Sequence, residues 1–327
     1  MFIRRLKDCA KPEDPARIVF LVTAWFAAYY FVLCRFAFNS VHHQATPAML
    51  VSGTAYKPFQ YRALVGWVVG LFSSTFPGIP LPTWFRLAEL FSVFFLLVAY
   101  RSYIALFIKD EILASLLSFF MLYVLFFNYL LYPNYPVWFP WDMPSVLFFT
   151  LGLTLIYRRK WALYYPLFIL ATFNRETSCF LTIVYLLTAI KKDPAGTVAL
   201  HFSAQLLIWV AVKSFLFLLY AGNPGWELFE GQMRYNAHLL SRPEYYPFIL
   251  CVFGFVWVPV VFLFGLIREE FVRRALLVVF PFFLVMFFTA RMVELRVYGE
   301  LIPVVLTAFL LVVKESFAKA SAAAEQQ

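Results

Sequence analysis

"RRKWALYYPLFILATFNRETSCFLTIVYLLTAIKK", residues 158 to 192, decides how this chain is folded. From Trp161 to Ile190 the stretch is almost wholly apolar, yet Arg175 and Glu176 stand side by side at its centre. A charge at mid-bilayer costs at least ~2.5–3.5 kcal/mol, so it rarely occurs there without a reason. Basic clusters close both ends, with Arg158, Arg159 and Lys160 before the stretch and Lys191 and Lys192 after it. One straight helix would be ~45 Å long at 1.5 Å per residue, well over a ~30 Å hydrocarbon core. It would also put the two basic clusters on opposite sides of the membrane. The stretch therefore reads as a hairpin of two half-helices meeting at Asn174, with Asn-Arg-Glu-Thr at the tip. Asn174 suits the N-cap of the second half-helix. That helix then offers free backbone N–H groups and a positive dipole end to an anion.

Composition agrees with a membrane setting. Of 327 residues, 63% are apolar, 21% aromatic and only 14% charged, against roughly 25% charged in a soluble domain. Apolar runs of membrane-crossing length recur throughout, which excludes a soluble domain and marks an all-α polytopic transmembrane bundle with short broken or re-entrant helices. Four scattered cysteines (Cys9, Cys34, Cys179 and Cys251) form neither a metal-ligand spacing nor a disulfide framework. The polar N-terminal seventeen residues lead into an apolar run without a small-residue cleavage site, so the first run reads as an anchor. Residues 1–316 form a single transmembrane domain, and 317–327, ending AKASAAAEQQ, read as a disordered tail.

Candidate membrane helices fall at 18–37, 84–108, 112–132, 142–157, 198–220, 246–267, 275–290 and 297–313. With 161–190 a hairpin and 63–80 not crossing, the inner segments carry Arg4, Arg5, Lys7, Lys11, Arg17, Lys109, Arg158, Arg159, Lys160, Lys191, Lys192, Arg268, Arg273, Arg274, Lys314 and Lys319. The outer segments carry Lys57, Arg62, Arg86, Arg234, Arg242, Arg291 and Arg296. That asymmetry satisfies the positive-inside rule, places the N-terminus inside, and accounts for the net charge of +9 without any nucleic-acid partner. Short extramembrane segments suit a bacterial cytoplasmic membrane.

Polar features then collect on the outer side. The first outer loop, 38–83, contains His42, His43, Lys57, Gln60, Tyr61 and Arg62, with an interfacial or re-entrant helix at its 63–76 part. A second, "YPNYPVWFPWDMP", has Asp142 as its one charge; a third offers Arg234, Asn236 and His238. The last, "ARMVELRVYGELIP", holds Arg291, Glu294, Arg296 and Glu300, and Lys213 is a further intramembrane charge. Such a set suits a phosphorylated, sugar-bearing lipid. Arginine grips phosphate bidentately, aromatics cover sugar faces or prenyl chains, and a carboxylate can take a proton during glycosyl transfer.

Each residue also has a plainer reading. Arg175 and Glu176 would pair structurally across the half-helices, and Gln60, Tyr61 and Arg62 would anchor an interface. Asp142 would cap its helix, Glu294, Arg296 and Glu300 would pair with one another, and His42 and His43 would be solvated. No metal site is expected; a divalent cation held by His42 and His43 with a carboxylate is the minor alternative, since adjacent histidines rarely share one ion.

The segments "LATFNRET", "KPFQYRAL", "WDMPSVLFFTLGL" and "ELRVYGELIP", with the long first outer loop and the broken central helices, resemble the GT-C superfamily of integral-membrane glycosyltransferases. The resemblance implies transfer of a sugar from a polyprenyl-phosphate donor to a glycan, lipid or protein acceptor, of the inverting kind, in cell-envelope polysaccharide biosynthesis. In that reading Arg175, the half-helix N-terminus and Lys213 or Arg296 hold the phosphate, and Gln60, Tyr61, Arg62, Asn174, Arg234, Asn236, Arg291 and Glu300 contribute to binding. Glu176, Asp142, Glu294, His42 and His43 are the candidate bases. The chain departs from the family pattern in one respect: no acidic residue lies between Asp14 and Glu89, and Asn39, His42 and His43 stand where a first-loop carboxylate is expected. A non-catalytic flippase or transporter of lipid-linked sugars, and an Arg/His-dependent polysaccharide polymerase or ligase using a polyprenyl-diphosphate donor, are the rival readings. The sequence sets no oligomeric state.

Overall fold

The computed structural model describes residues 15–131, 137–226 and 231–324. Residues 1–14, with Arg4, Arg5, Lys7 and Lys11, and residues 132–136, 227–230 and 325–327 lie outside them. The chain is a multi-pass, all-α bundle, and six of its helices are long and apolar enough to cross a membrane.

Helix α1 (Pro15–Phe38) is followed by strand β1 (Ser40–Val41), α2 (Pro47–Ser52), a 3-10 turn (Phe59–Tyr61), α3 (Leu64–Thr75) and α4 (Leu81–Ile104). Arg35 meets Glu89 at 2.6 Å and Arg101 covers the Phe20 ring, so α1 and α4 run antiparallel. The loop between them enters and leaves at one pole. Helix α3, ~18 Å long at 1.5 Å per residue, is shorter than a ~30 Å hydrocarbon core.

Helices α5 (Glu111–Ser118) and α6 (Phe120–Tyr129), joined at Phe119, make one span, and β2 (Val137–Trp138) follows. β1 and β2 pair in parallel, Ser40 with Val137 and Val41 with Trp138, which ties the first outer loop to the second. Helix α7 (Asp142–Tyr157) packs extensively on α4.

Then comes the broken element. Helix α8 (Trp161–Asn174) ends where Arg175 adopts an extended conformation, and a 3-10 turn (Glu176–Ser178) leads into α9 (Cys179–Ala189). The bases of the two half-helices meet: Arg159 donates to Asp193 at 2.6 Å, and Trp161 stacks edge-on against Tyr185. A straight helix would hold Arg159 and Asp193 ~50 Å apart, so the stretch is a hairpin. Helix α10 (Ala195–Leu219) packs along both half-helices.

Short helices follow: α11 (Met233–Leu240), α12 (Tyr246–Leu250), α13 (Trp257–Phe262), α14 (Glu270–Ala275) and α15 (Val279–Thr289). A continuous helix over 246–267 is not what forms. Phe253, Gly254 and Phe255 have φ of 58°, 60° and 64°, and the backbone kinks there. The cause lies in α6. Asn128 Oδ1 accepts from the Phe253 N–H at 2.9 Å and Tyr123 donates to the Gly254 carbonyl at 3.1 Å, so side chains satisfy the groups that the kink frees. Gly254 must be glycine, because a Cβ would lie 2.6 Å from the Tyr123 ring.

A 3-10 segment (Leu295–Leu301) opens α16 (Ile302–Ala324), the most buried of the six long spans. It continues to Ala324, into the stretch expected to be disordered from 317: alanines are the best helix formers, and extending an existing helix needs no new nucleus. Contacts Lys192–Glu270, Arg268–Glu315 and Phe107–Phe271 gather the basic segments of the inner set at the pole opposite the hairpin tip.

Candidate functional site

At the hairpin-tip pole the loops of that end enclose a cavity of about 1340 Å³. Among the described residues, six cationic side chains line it (Lys57, Arg62, Arg175, Lys213, Arg291 and Arg296) and two carboxylates, Glu176 and Glu294, with His42 and His43. Val210 and Phe217 of α10 and Val285 and Met286 of α15 give it an apolar flank.

Two sets of charges face this space. In the first, Arg62 holds the Glu176 carboxylate through two hydrogen bonds, one of them at 3.2 Å, and Lys213 Nζ lies 3.8 Å from it. Trp209 donates its indole N–H to the Glu176 carbonyl at 2.8 Å, and Lys213 also donates to the Tyr61 carbonyl at 3.4 Å. In the second set Arg296 pairs with Glu294 at 2.5 Å, and the exposed Arg291 lies over the Tyr235 ring. An aromatic row joins them. Phe139 and Trp141 stack with centroids 4.7 Å apart; the Arg296 guanidinium covers the first ring at 4.3 Å and the Arg62 guanidinium the second at 4.9 Å. His42 packs on Phe59 and stacks with His43.

Behind that row lies a buried ion network. Arg35 bridges Glu89 at 2.6 Å and Asp142 at 2.7 Å, with all three side chains sealed from solvent, and Trp138 donates to Glu89. Arg175 reaches Glu300 at 3.2 Å and Asp142 at 3.8 Å, and Thr177 donates to Glu300. Arg296 approaches Asp142 to 3.9 Å from the cavity side. Alternating charges this deep must compensate one another, because a lone charge there costs several kcal/mol.

The sequence expectations divide accordingly. His42, His43, Tyr61, Arg62, Arg175, Glu176, Lys213, Arg291, Glu294 and Arg296 line the cavity. Asp142 does not; it is fully buried and serves the network, and no side-chain cap bond is made at the start of α7. Glu300 is likewise buried against Arg175. Arg175, expected to grip a phosphate, is almost wholly buried and spends its charge on Glu300 and Asp142.

Asn174 is the last residue of α8 and not an N-cap: its amide donates to the Trp141 carbonyl at 3.0 Å and Ser145 Oγ at 2.8 Å, binding hairpin to α7. Gln60 is spent bonding the Ala55 N–H and the Leu50 carbonyl. Buried Asn236 bonds the carbonyls of Phe287 and Ala290 and the Met292 N–H. Arg234 is exposed and lies off the cavity.

His42 Nδ1 accepts from the Gln44 N–H at 3.2 Å, so the neutral ring carries its proton on Nε2 and presents a donor, not a base. Burial, then His43 and Arg296, holds its pKa below the ordinary value. Among the described residues no three His, Cys, Asp or Glu side chains cluster as a metal site.

Arg35 and Glu89 escaped the sequence reading although each interrupts an apolar run, the signal that singled out Arg175. Comparison with family models, curated proteins and solved structures gives no match.

Proposed function

We propose that the chain is a membrane glycosyltransferase that takes a sugar from a polyprenyl-phosphate donor at the extracytoplasmic side of a bacterial cytoplasmic membrane. One observation carries the reading: a cavity that, among the described residues, is lined by six cationic and two acidic side chains and flanked by apolar residues of two helices of membrane-crossing spans. That combination suits an anionic headgroup on an apolar tail. Arg62, Lys213 and the first turn of the second half-helix hold the donor phosphate. Of the carboxylates proposed as base, only Glu294 and Glu176 line the cavity; Glu176 is held by two hydrogen bonds from Arg62 and by Lys213, Glu294 by Arg296 alone.

In the step itself the acceptor hydroxyl oxygen bonds to the anomeric carbon as the carbon–phosphate-oxygen bond breaks. The polyprenyl phosphate leaves with the electron pair, and the acceptor proton passes to Glu294. The configuration at that carbon inverts.

Purified protein in vesicles, given labelled polyprenyl-phosphate sugar and an envelope glycan acceptor, should release free polyprenyl phosphate. Glu294→Gln should abolish release while leaving lipid-phosphate binding intact. The absence of any acid in the first outer loop favours one rival, a flippase. That rival predicts transbilayer movement of intact donor with no release, and such a result would displace the transferase reading.

A further inference from the structure

The cationic side chains of the cavity are divided between two sets. Among the described residues, the Arg62–Glu176–Lys213 set has two cations on one carboxylate, whereas in the Arg291–Glu294–Arg296 set Arg296 is shared between Glu294 and the buried Asp142, and Arg291 has no carboxylate within ion-pair distance. Each set thus offers one cation that is loosely paired or unpaired among the described residues: Lys213, 3.8 Å from Glu176, and Arg291, which lies over the Tyr235 ring. Between them stands a fixed partition. Trp141 and Phe139 are buried and stacked, one guanidinium on each ring, and Asp142 behind them draws on Arg296 and on Arg175. The partition cannot collapse to bring both sets onto one phosphate: Trp141 is pinned by Asn174 through its carbonyl, and Phe139 is packed against His42 and Phe59.

The two sets also face different surroundings. Lys213 sits on α10 beside the exposed Val210, whereas Arg291 and His43 are exposed at the rim. The first is reached along an apolar helix face and the second from water.

We infer that the cavity binds two phosphate-class anions at once, one in each charge set, so that the acceptor carries an acidic group as the donor does. This rests on the transferase reading above and adds the acceptor's class: a phosphate-bearing or comparably acidic glycan or lipid, held by Arg291 and Arg296 with its hydroxyl toward Glu294.

The test uses the full chain in nanodiscs, with farnesyl phosphate as the lipid probe and radiolabelled glycerol 3-phosphate as the soluble one. Saturating farnesyl phosphate should leave glycerol-phosphate affinity within about threefold. Arg291→Gln should weaken glycerol phosphate by about 10- to 100-fold, the effect of one charge-assisted hydrogen bond, and farnesyl phosphate by less than threefold. Arg62→Gln should do the reverse. Competitive displacement of one probe by the other in the wild-type protein would overturn the inference whether or not a variant folds, and so would equal weakening of both probes by either variant. If farnesyl phosphate does not bind at all, the transferase reading fails with it. Binding of farnesyl phosphate alone, with no glycerol-phosphate binding, removes only the second anion.

Discussion

Arg35 is the sole bridge between Glu89 and Asp142, and its replacement tests whether the buried network exists. Arg35→Met leaves both carboxylates without their strongest counter-charge inside the bundle. Breaking a buried ion pair costs about 3–5 kcal/mol. An orphaned carboxylate can escape by taking up a proton, and with an ordinary pKa near 4 that costs about 4 kcal/mol at pH 7. Asp142 keeps more distant help from Arg175 at 3.8 Å and Arg296 at 3.9 Å, so its share is smaller. The expected total is about 5–7 kcal/mol.

Asp142→Asn should cost far less, about 1–3 kcal/mol, because Arg35 keeps Glu89, Arg175 keeps Glu300, and an amide oxygen still accepts. The triple variant Arg35→Met/Glu89→Gln/Asp142→Asn removes all three charges together and should recover most of the loss. Thermal unfolding of each variant in detergent, followed by tryptophan fluorescence, gives the order. If Arg35→Met were as stable as Asp142→Asn, or the triple variant no better than the single, the compensation argument would be wrong.

Gly299 lies in the 3-10 segment before α16, where a Cβ would come 1.8 Å from Tyr129 Oη; Gly299→Ala should therefore cost about 1–3 kcal/mol. Adding Tyr129→Phe should return part of that, and a fully neutral Gly299→Ala would show that the contact is not made. His42 has a lowered pKa, so between that value and about 6.5 the unfolded chain binds more protons than the folded one, and stability falls as pH drops through this window. Melting curves at about pH 7.5 and 5.5 should show the wild type losing more on acidification than His42→Gln, and an equal loss would refute the assignment. Single cysteines at Lys160→Cys and Lys192→Cys, with the native cysteines replaced, should react with an impermeant thiol reagent from one and the same side of sealed vesicles. Labelling from opposite sides would refute the hairpin.

Local and periodic features were legible in the sequence. Helix α7 occupies Asp142–Tyr157, where the apolar run places it, and the hairpin followed from length and charge alone. The convergence of Arg62, Glu176, Lys213, Glu294 and Arg296 on one cavity followed from topology. What stayed hidden depends on partners far away in the chain. Asn174 looks like a cap because Asn favours that position, but its contacts with Trp141 and Ser145 decide its role. Gln60 and Asn236 look like ligand contacts until the carbonyls they satisfy are seen. The kink at Gly254 exists because Asn128, 125 residues earlier, supplies an acceptor to Phe253.

The hairpin tip also constrains the order in which the chain can be completed during synthesis. Arg175 emerges from the ribosome 125 residues ahead of Glu300, its nearest counter-charge. Until the final span arrives, Arg175 is left with Asp142, farther off and already committed to Arg35, and with the adjacent Glu176, which Arg62 and Lys213 hold. Segment-by-segment insertion therefore leaves Arg175 without its Glu300 contact until the last span docks. Nascent chains halted before residue 300 would be degradation substrates, even with every preceding span already made.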